Sequence, residues 1–220
     1  MSTEIKYKNF EGELLTPQQL AVINDDYSKE QYIDDKLKRV DYYIRGSINW
    51  GAYYLEDGEN IQSVLTGLGE VWQSTLLFLD EQAVGGYVAR NWEVYQGANK
   101  LDKGRTVYDS LNREVGEETL SLNTLDVIKV TKKYYLDQFG PFIDDGYVLN
   151  FGTFEFTYDS PGLPSEKIRV WVNLPGFDHK DYPINDQRNE LTHPIIRKIF
   201  IWEDHPYYHS SSPFIPISIV

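Results

Sequence analysis

The sequence predicts an α+β domain built on a large antiparallel β-sheet, curled or two-layered, with one to three short helices. Three observations carry that expectation. Apolar residues alternate with polar ones over short runs, which is the period of a half-buried strand. Gly, Pro, Asn and Asp interrupt those runs at close intervals, as tight turns require. Aromatic residues make up 15% of the chain, with 17 Tyr, 10 Phe and 5 Trp, and these favour a pleated surface.

The first element is a helix. Thr16-Pro17-Gln18-Gln19 has a capping-box pattern with proline at the first helical position, and Leu20, Ile23 and Tyr27 would share one face. A strand follows over Val40 to Trp50. Next, Tyr53-Tyr54-Leu55 and Ile61 to Val64 flank Asp57-Gly58, and an Asp-Gly pair tolerates the positive φ of a hairpin turn, so a second hairpin is expected there. Further strands are expected at Thr75 to Leu79, Tyr87 to Tyr95 and Arg105 to Leu111.

The segment from Thr124 to Phe139 admits two readings. Leu125, Ile128, Tyr135, Leu136 and Phe139 suit a helix stopped by Gly140-Pro141, whereas Val127-Ile128-Lys129-Val130 suits a strand. Beyond it the signal is plain. Phe154, Phe156 and Tyr158 share a face within Tyr147 to Tyr158, Ser160-Pro161-Gly162-Leu163-Pro164 makes a turn, and Ile168, Val170, Val172 and Leu174 alternate strictly. This predicts a hairpin. A last strand is expected at Ile195 to Trp202. There is no fixed-period repeat, low-complexity tract or long linker, so residues 1–220 are expected to form one domain.

Composition narrows the function. The absence of cysteine removes disulfides, thiolate metal sites and a cysteine nucleophile, and suits a reducing cytoplasm. Met1-Ser2-Thr3-Glu4-Ile5-Lys6-Tyr7 lacks a basic stretch followed by an apolar one, and no apolar run approaches spanning length, so neither export nor membrane insertion is expected. A net charge of -13 opposes binding to nucleic acid, which needs clustered Lys and Arg.

The placement of the bases says more than their number. Between Arg45 and Arg90 lie Glu56, Asp57, Glu59, Glu70, Asp80 and Glu81 with no base. Between Lys133 and Lys167 lie Asp137, Asp144, Asp145, Glu155, Asp159 and Glu166, again with none. These two stretches hold twelve of the thirteen net negative charges. Side by side they would form one negative face that steers a basic partner. Trp50, Tyr53 and Tyr54 fall beside the acids, and interface hot spots favour such rings.

Motifs of catalysis are missing. Gly67-Leu68-Gly69 ends before a third glycine, and there is no nucleophile elbow or phosphate loop. Paired-carboxylate chemistry would leave no local signature. Glu56-Asp57-Gly58-Glu59-Asn60 offers hard oxygens for calcium but lacks an EF-hand's ligand spacing, so it reads as a polar turn. All four histidines, His179, His193, His205 and His209, lie in the last quarter near Asp178, Asp181, Glu203 and Asp204. Pro206 and Pro213 place His205 and His209 on a loop rather than on a metal-binding helix.

The function expected first is therefore a non-catalytic bacterial immunity or inhibitor protein that neutralises a basic toxin or another basic protein. It would use Trp50, Tyr53, Tyr54, Glu56, Asp57, Glu59, Glu70, Asp80, Glu81, Asp144 and Asp145, without metal or cofactor. A second expectation is a carbohydrate- or small-ligand-binding β-domain, recognisable by an open cleft lined by Trp50, Trp72, Trp92 or Trp171. The third is a metal-assisted hydrolase in which His205 and His209 converge with Asp204 or Asp178.

Overall fold

A computed structural model describes residues 2–9, 12–69, 71–135, 142–144, 147–149, 152–158, 164–165, 167–174, 177–185, 190–191, 197 and 200–216. Its strands are β1 (Thr3–Asn9), β2 (Tyr27–Ile33), β3 (Lys36–Ile44), β4 (Ser47–Tyr54), β5 (Ser74–Val84), β6 (Tyr87–Gln96), β7 (Asn99–Tyr108), β8 (Glu114–Leu120) and β9 (Val127–Tyr135). They continue with β10 (Phe142–Asp144), β11 (Tyr147–Leu149), β12 (Gly152–Tyr158), β13 (Lys167–Leu174), β14 (Phe177–Asn185) and β15 (Glu190–Leu191). Among the described residues, helices α1 (Pro17–Leu20) and α2 (Ile61–Gly69) interrupt them, and 3-10 turns at Trp202–Asp204 and Pro206–Tyr208 follow.

Among the described residues, thirteen strands join in the order β1-β2-β3-β4-β5-β6-β7-β8-β9-β12-β13-β14-β15, and β10 pairs with β11 apart from them. The α+β class with a large, mostly antiparallel sheet and two short helices is as the sequence predicts. Tight turns explain the meander. Asp34-Asp35 and Arg45-Gly46 take positive φ between paired strands, and the resulting primed turn matches the twist of the strands it joins. Val40 to Trp50 is thus two strands around Arg45-Gly46 rather than one.

Two further expectations need correction. Around Asp57-Gly58 there is a turn, closed by the Glu59 amide donating to the Glu56 carbonyl at 3.1 Å, but it leads into α2 instead of a return strand. Ile61, Val64, Leu65 and Leu68 recur at helical spacing, and Asn60 accepts from the Ser63 amide at 3.0 Å in place of a missing turn of helix. β4 and β5 are then parallel, with Trp50 opposite Ser74 and Tyr54 opposite Phe78. An intervening helix is the ordinary way to connect parallel strands.

The N-terminal helix keeps its predicted capping box, with Thr16 and Gln19 exchanging hydrogen bonds, but it ends at Leu20. Ile23 lies beyond it and Tyr27 opens β2, whose pairing with β1 outweighs one more helical turn. The Thr124 to Phe139 segment resolves as strand β9 up to Tyr135, with β-branched Val127, Ile128, Val130 and Thr131 setting the choice. β12 and β13 form the predicted hairpin, with Phe156 opposite Ile168, while its turn at 160–163 lies outside the described residues. At Ile195 to Trp202, residues 195–196 and 198–199 lie outside the described residues. Among the described residues, Phe200 and Ile201 are irregular and Trp202 begins a 3-10 turn.

The chain groups into two compact units. The first comprises Met1–Glu81 and Arg90–Lys103, the second Gln82–Ala89 and Gly104–Val220. In the first unit β5 is buried on both faces: Leu77 packs with Leu65 of α2 and Tyr95, and Phe78 packs with Val40, Ala52 and Trp92. In the second, Phe154, Phe156, Tyr158, Ile168 and Val170 form a core with Phe200, Trp202 and Tyr208 of the C-terminal segment. No helix among the described residues is long and apolar enough to cross a membrane.

Candidate ligand-binding cleft

The register of the first unit places a row of residues side by side across four strands. Lys8 of β1 lies opposite Ser28 of β2, Ser28 opposite Tyr42 of β3, and Tyr42 opposite Trp50 of β4. Directly opposed residues share one face of a sheet, so this row is contiguous. The Tyr42 and Trp50 rings stack with centroids 3.9 Å apart and planes 16° apart. Neither ring is fully buried.

A cleft of about 450 Å³ opens over this row. Tyr27 and Tyr43, the sequence neighbours of Ser28 and Tyr42, stack at 4.5 Å on the opposite face of the sheet. That volume lies within the range of small-molecule sites, about 300–1,000 Å³. Polar groups stand beside the rings. Lys8 Nζ lies 2.9 Å from a Glu30 oxygen, and the Tyr32 hydroxyl donates to the same carboxylate at 2.6 Å. Burial, then the Glu30 charge, holds the Tyr42 phenol above its ordinary pKa, so it is a neutral donor at physiological pH. A second cavity of about 600 Å³ beside α1 shares Asn9 and Asp26 with the cleft. Asn24, Asp25 and Arg45 line this basin, and the Arg45 amide donates to Asp26 at 3.1 Å.

Of the aromatic residues singled out in the sequence, Trp50 lines the cleft and the others do not. The Tyr53 hydroxyl donates to Glu59 at 2.7 Å, and Tyr54 stacks on Phe78 at 4.7 Å. Trp72 is buried with its Nε1 donating to Asp41 at 2.9 Å; Trp92 and Trp202 are buried as well. Trp171 is half-buried and donates to Glu155 at 3.1 Å.

The acids of the first base-free stretch have cations brought to them by the fold. Lys38, from β3, lies 2.6 Å from Glu59 and 3.4 Å from Glu56, and Arg90, from β6, lies 2.9 Å from Glu81. Asp80 accepts from Asn91 at 2.7 Å, and Asp57 is exposed at the turn. Burial works against the Glu59 carboxylate, but hydrogen bonds from Lys38, the Glu56 amide and Tyr53 prevail and hold its pKa below the usual range. In the second stretch Glu155 stands in register between Lys133 and Arg169. Asp144 belongs to β10, whose side chains lie outside the described residues, as do Glu70, Asp137, Asp145, Asp159 and Glu166. A segment without bases in sequence is therefore not base-free in space, because antiparallel neighbours supply them.

The C-terminal histidines are occupied as packing groups. His205 stacks on Phe200 with centroids 4.4 Å apart, and burial holds its pKa below the ordinary value. His209 stacks on Trp202 at 4.5 Å, its Nε2 lying 2.7 Å from the Trp202 carbonyl oxygen. His193 lies outside the described residues. Among those residues no group of three or more His, Asp or Glu is placed to hold a metal ion.

Sequence reasoning missed Ser28 and Tyr42 as cleft residues, along with the Lys8–Glu30 pair. Only the pairing register unites them, and alternation within single strands carries no trace of register. Comparison with protein-family models, curated proteins and solved structures yields no match to this chain.

Proposed function

We propose that this chain is a non-catalytic binding protein whose small amphipathic ligand seats in the cleft floored by Tyr42 and Trp50. The observation that carries this reading is the stacked Tyr42–Trp50 couple flooring an open cavity beside the Lys8–Glu30 pair. Flat apolar faces capture the ring or chain of a ligand, and the adjacent donors and acceptors orient it. Soluble sugars, polyols and aromatic metabolites are to be screened by thermal shift against wild type and Trp50→Ala. A compound that raises the melting temperature of wild type alone supports the reading. A library in which every stabilising compound acts equally on both proteins overturns it.

The net charge of -13 and the exposed Asp57 favour a second reading, an immunity or inhibitor protein for a basic toxin in the cytoplasm. The pairing of Glu56, Glu59 and Glu81 with Lys38 and Arg90 leaves it less charge to offer. Affinity for a basic protein from the host that falls steeply with added salt is the result this reading requires.

A further inference from the structure

Resting on the cleft reading, we infer that the ligand is a neutral glycan of at least two rings. One ring lies on the Tyr42–Trp50 platform and the next reaches past Asn9 and Asp26 into the basin beside α1.

Charge selects against anionic ligands. A phosphate or carboxylate ligand needs cations not already spent on the protein's own acids. In the cleft, Lys8 is held 2.9 Å from Glu30, and Asp26 adds another acid. In the basin, Arg45 is outnumbered in the lining by Asp25 and Asp26. Neither cavity therefore carries a net positive charge. What both offer is a mixture of donors and acceptors within reach of one another, from Lys8, Ser28 and Glu30 to Asn9, Asn24 and Asp25. Vicinal hydroxyls, each a donor and an acceptor, match that mixture.

Ring geometry points the same way. The Tyr42 and Trp50 rings bury their inner faces against each other, so what they offer a ligand is flat outer surface rather than the converging faces of a cage for a cationic headgroup. A pyranose presents a flat C–H face to such a surface. Size then sets the length. Cavities of about 450 and 600 Å³ each have room for more than one sugar ring, and they share Asn9 and Asp26 as a common wall. The residues of the basin, Asn24, Asp25 and Asp26, are all exposed.

The test is calorimetric titration with malto-, cello-, xylo- and chito-oligosaccharides of one to five units, with glucuronic acid and choline as charged controls. In one series affinity should rise at least tenfold from the monosaccharide to a longer member and then level off. Trp50→Ala should abolish binding of every length. The double variant Asn24→Ala, Asp25→Ala should flatten the length dependence, and both residues are exposed enough for folding to survive. Equal affinity at every length, or a double variant indistinguishable from wild type, overturns the two-cavity inference and leaves the cleft reading standing. So does preferred binding of glucuronic acid or choline that Trp50→Ala abolishes. Oligosaccharide binding that Trp50→Ala does not touch overturns both.

Discussion

Lys132 Nζ donates to the carbonyl oxygen of Tyr207 at 2.7 Å and lies 3.9 Å from the centroid of the same residue's ring. Two more carbonyls, of Ser210 at 2.7 Å and Pro213 at 2.8 Å, complete the shell, so each ammonium proton has its own acceptor. Lys132 is fully buried, and it ties the segment after the second 3-10 turn to strand β9. Its truncation would leave three carbonyls without a donor and a cavity in place of the side chain. Lys132→Ala should therefore cost about 3 kcal/mol or more in urea unfolding, and speed amide exchange at residues 204–209.

The same burial makes stability depend on pH. Desolvation pushes the Lys132 pKa down to about 7, against about 10.4 in the unfolded chain. Below pH 7 both states hold the proton and the full cost of burying a charge is present. Between roughly pH 7 and 10 the unfolded chain binds more protons than the folded one, so stability rises with pH. The neutral amine gives up one of its three donors, which limits the gain to about 1–3 kcal/mol. Above pH 10 the trend reverses, because burial also raises the pKa of Tyr158, Tyr207 and Tyr208, which then ionise first in the unfolded chain. Urea midpoints at pH 6, 7.5 and 9 should climb in wild type, and this climb should be absent in Lys132→Met.

Gly51 admits no side chain. A β-carbon there would meet the Trp72 indole at 2.2 Å, where the ring lies flat on the backbone of β4. Gly51→Ala should displace Trp72 and break its bond to Asp41, costing about 2–4 kcal/mol. Trp72→Phe in the Gly51→Ala background would recover part of that loss if the clash is the cause, and double-mutant unfolding curves would show it.

Glu59 is the hub of the α2 entry, accepting from Lys38, Tyr53 and the Glu56 amide. Glu59→Gln leaves the buried Lys38 ammonium without its nearest carboxylate and should cost about 1–2 kcal/mol at pH 7. Since the folded pKa of Glu59 lies below the unfolded value, its contribution is present above about pH 4.3 and disappears as pH falls through the folded value. Acid titration of wild type should show this loss, and Glu59→Gln should not.

Strand identity was legible wherever a single strand announces itself: β12 and β13 follow from Phe154, Phe156, Ile168 and Val170, and the capping box from Thr16 and Gln19. α2 was not, because Asp57-Gly58 signals a turn equally well before a helix or a strand, and Ile61 to Val64 is too short a window to separate periods. Trp50 was legible as a candidate for its type alone. Its partner Tyr42 was not, since what joins them is cross-strand register. Lys132 carries no local mark, as its three acceptors come from backbone more than seventy residues away. The base-free stretches show the reverse error, in which proximity along the chain stood in for proximity across a sheet that delivers Lys38 and Arg90.

The parallel junction of β4 and β5 has a kinetic consequence. On its N-terminal side β1 to β4 are neighbours in sequence as well as in the sheet, and two-residue turns such as Asp34-Asp35 and Arg45-Gly46 hold strand ends together at little entropic cost. β4 and β5 meet only after α2 (Ile61–Gly69) has formed between them. Pairings between distant segments are the slow events of assembly, whereas hairpins zip in microseconds. No turn can template that joint, and Leu65 and Leu68, which seat the helix, stand where its speed of assembly is decided.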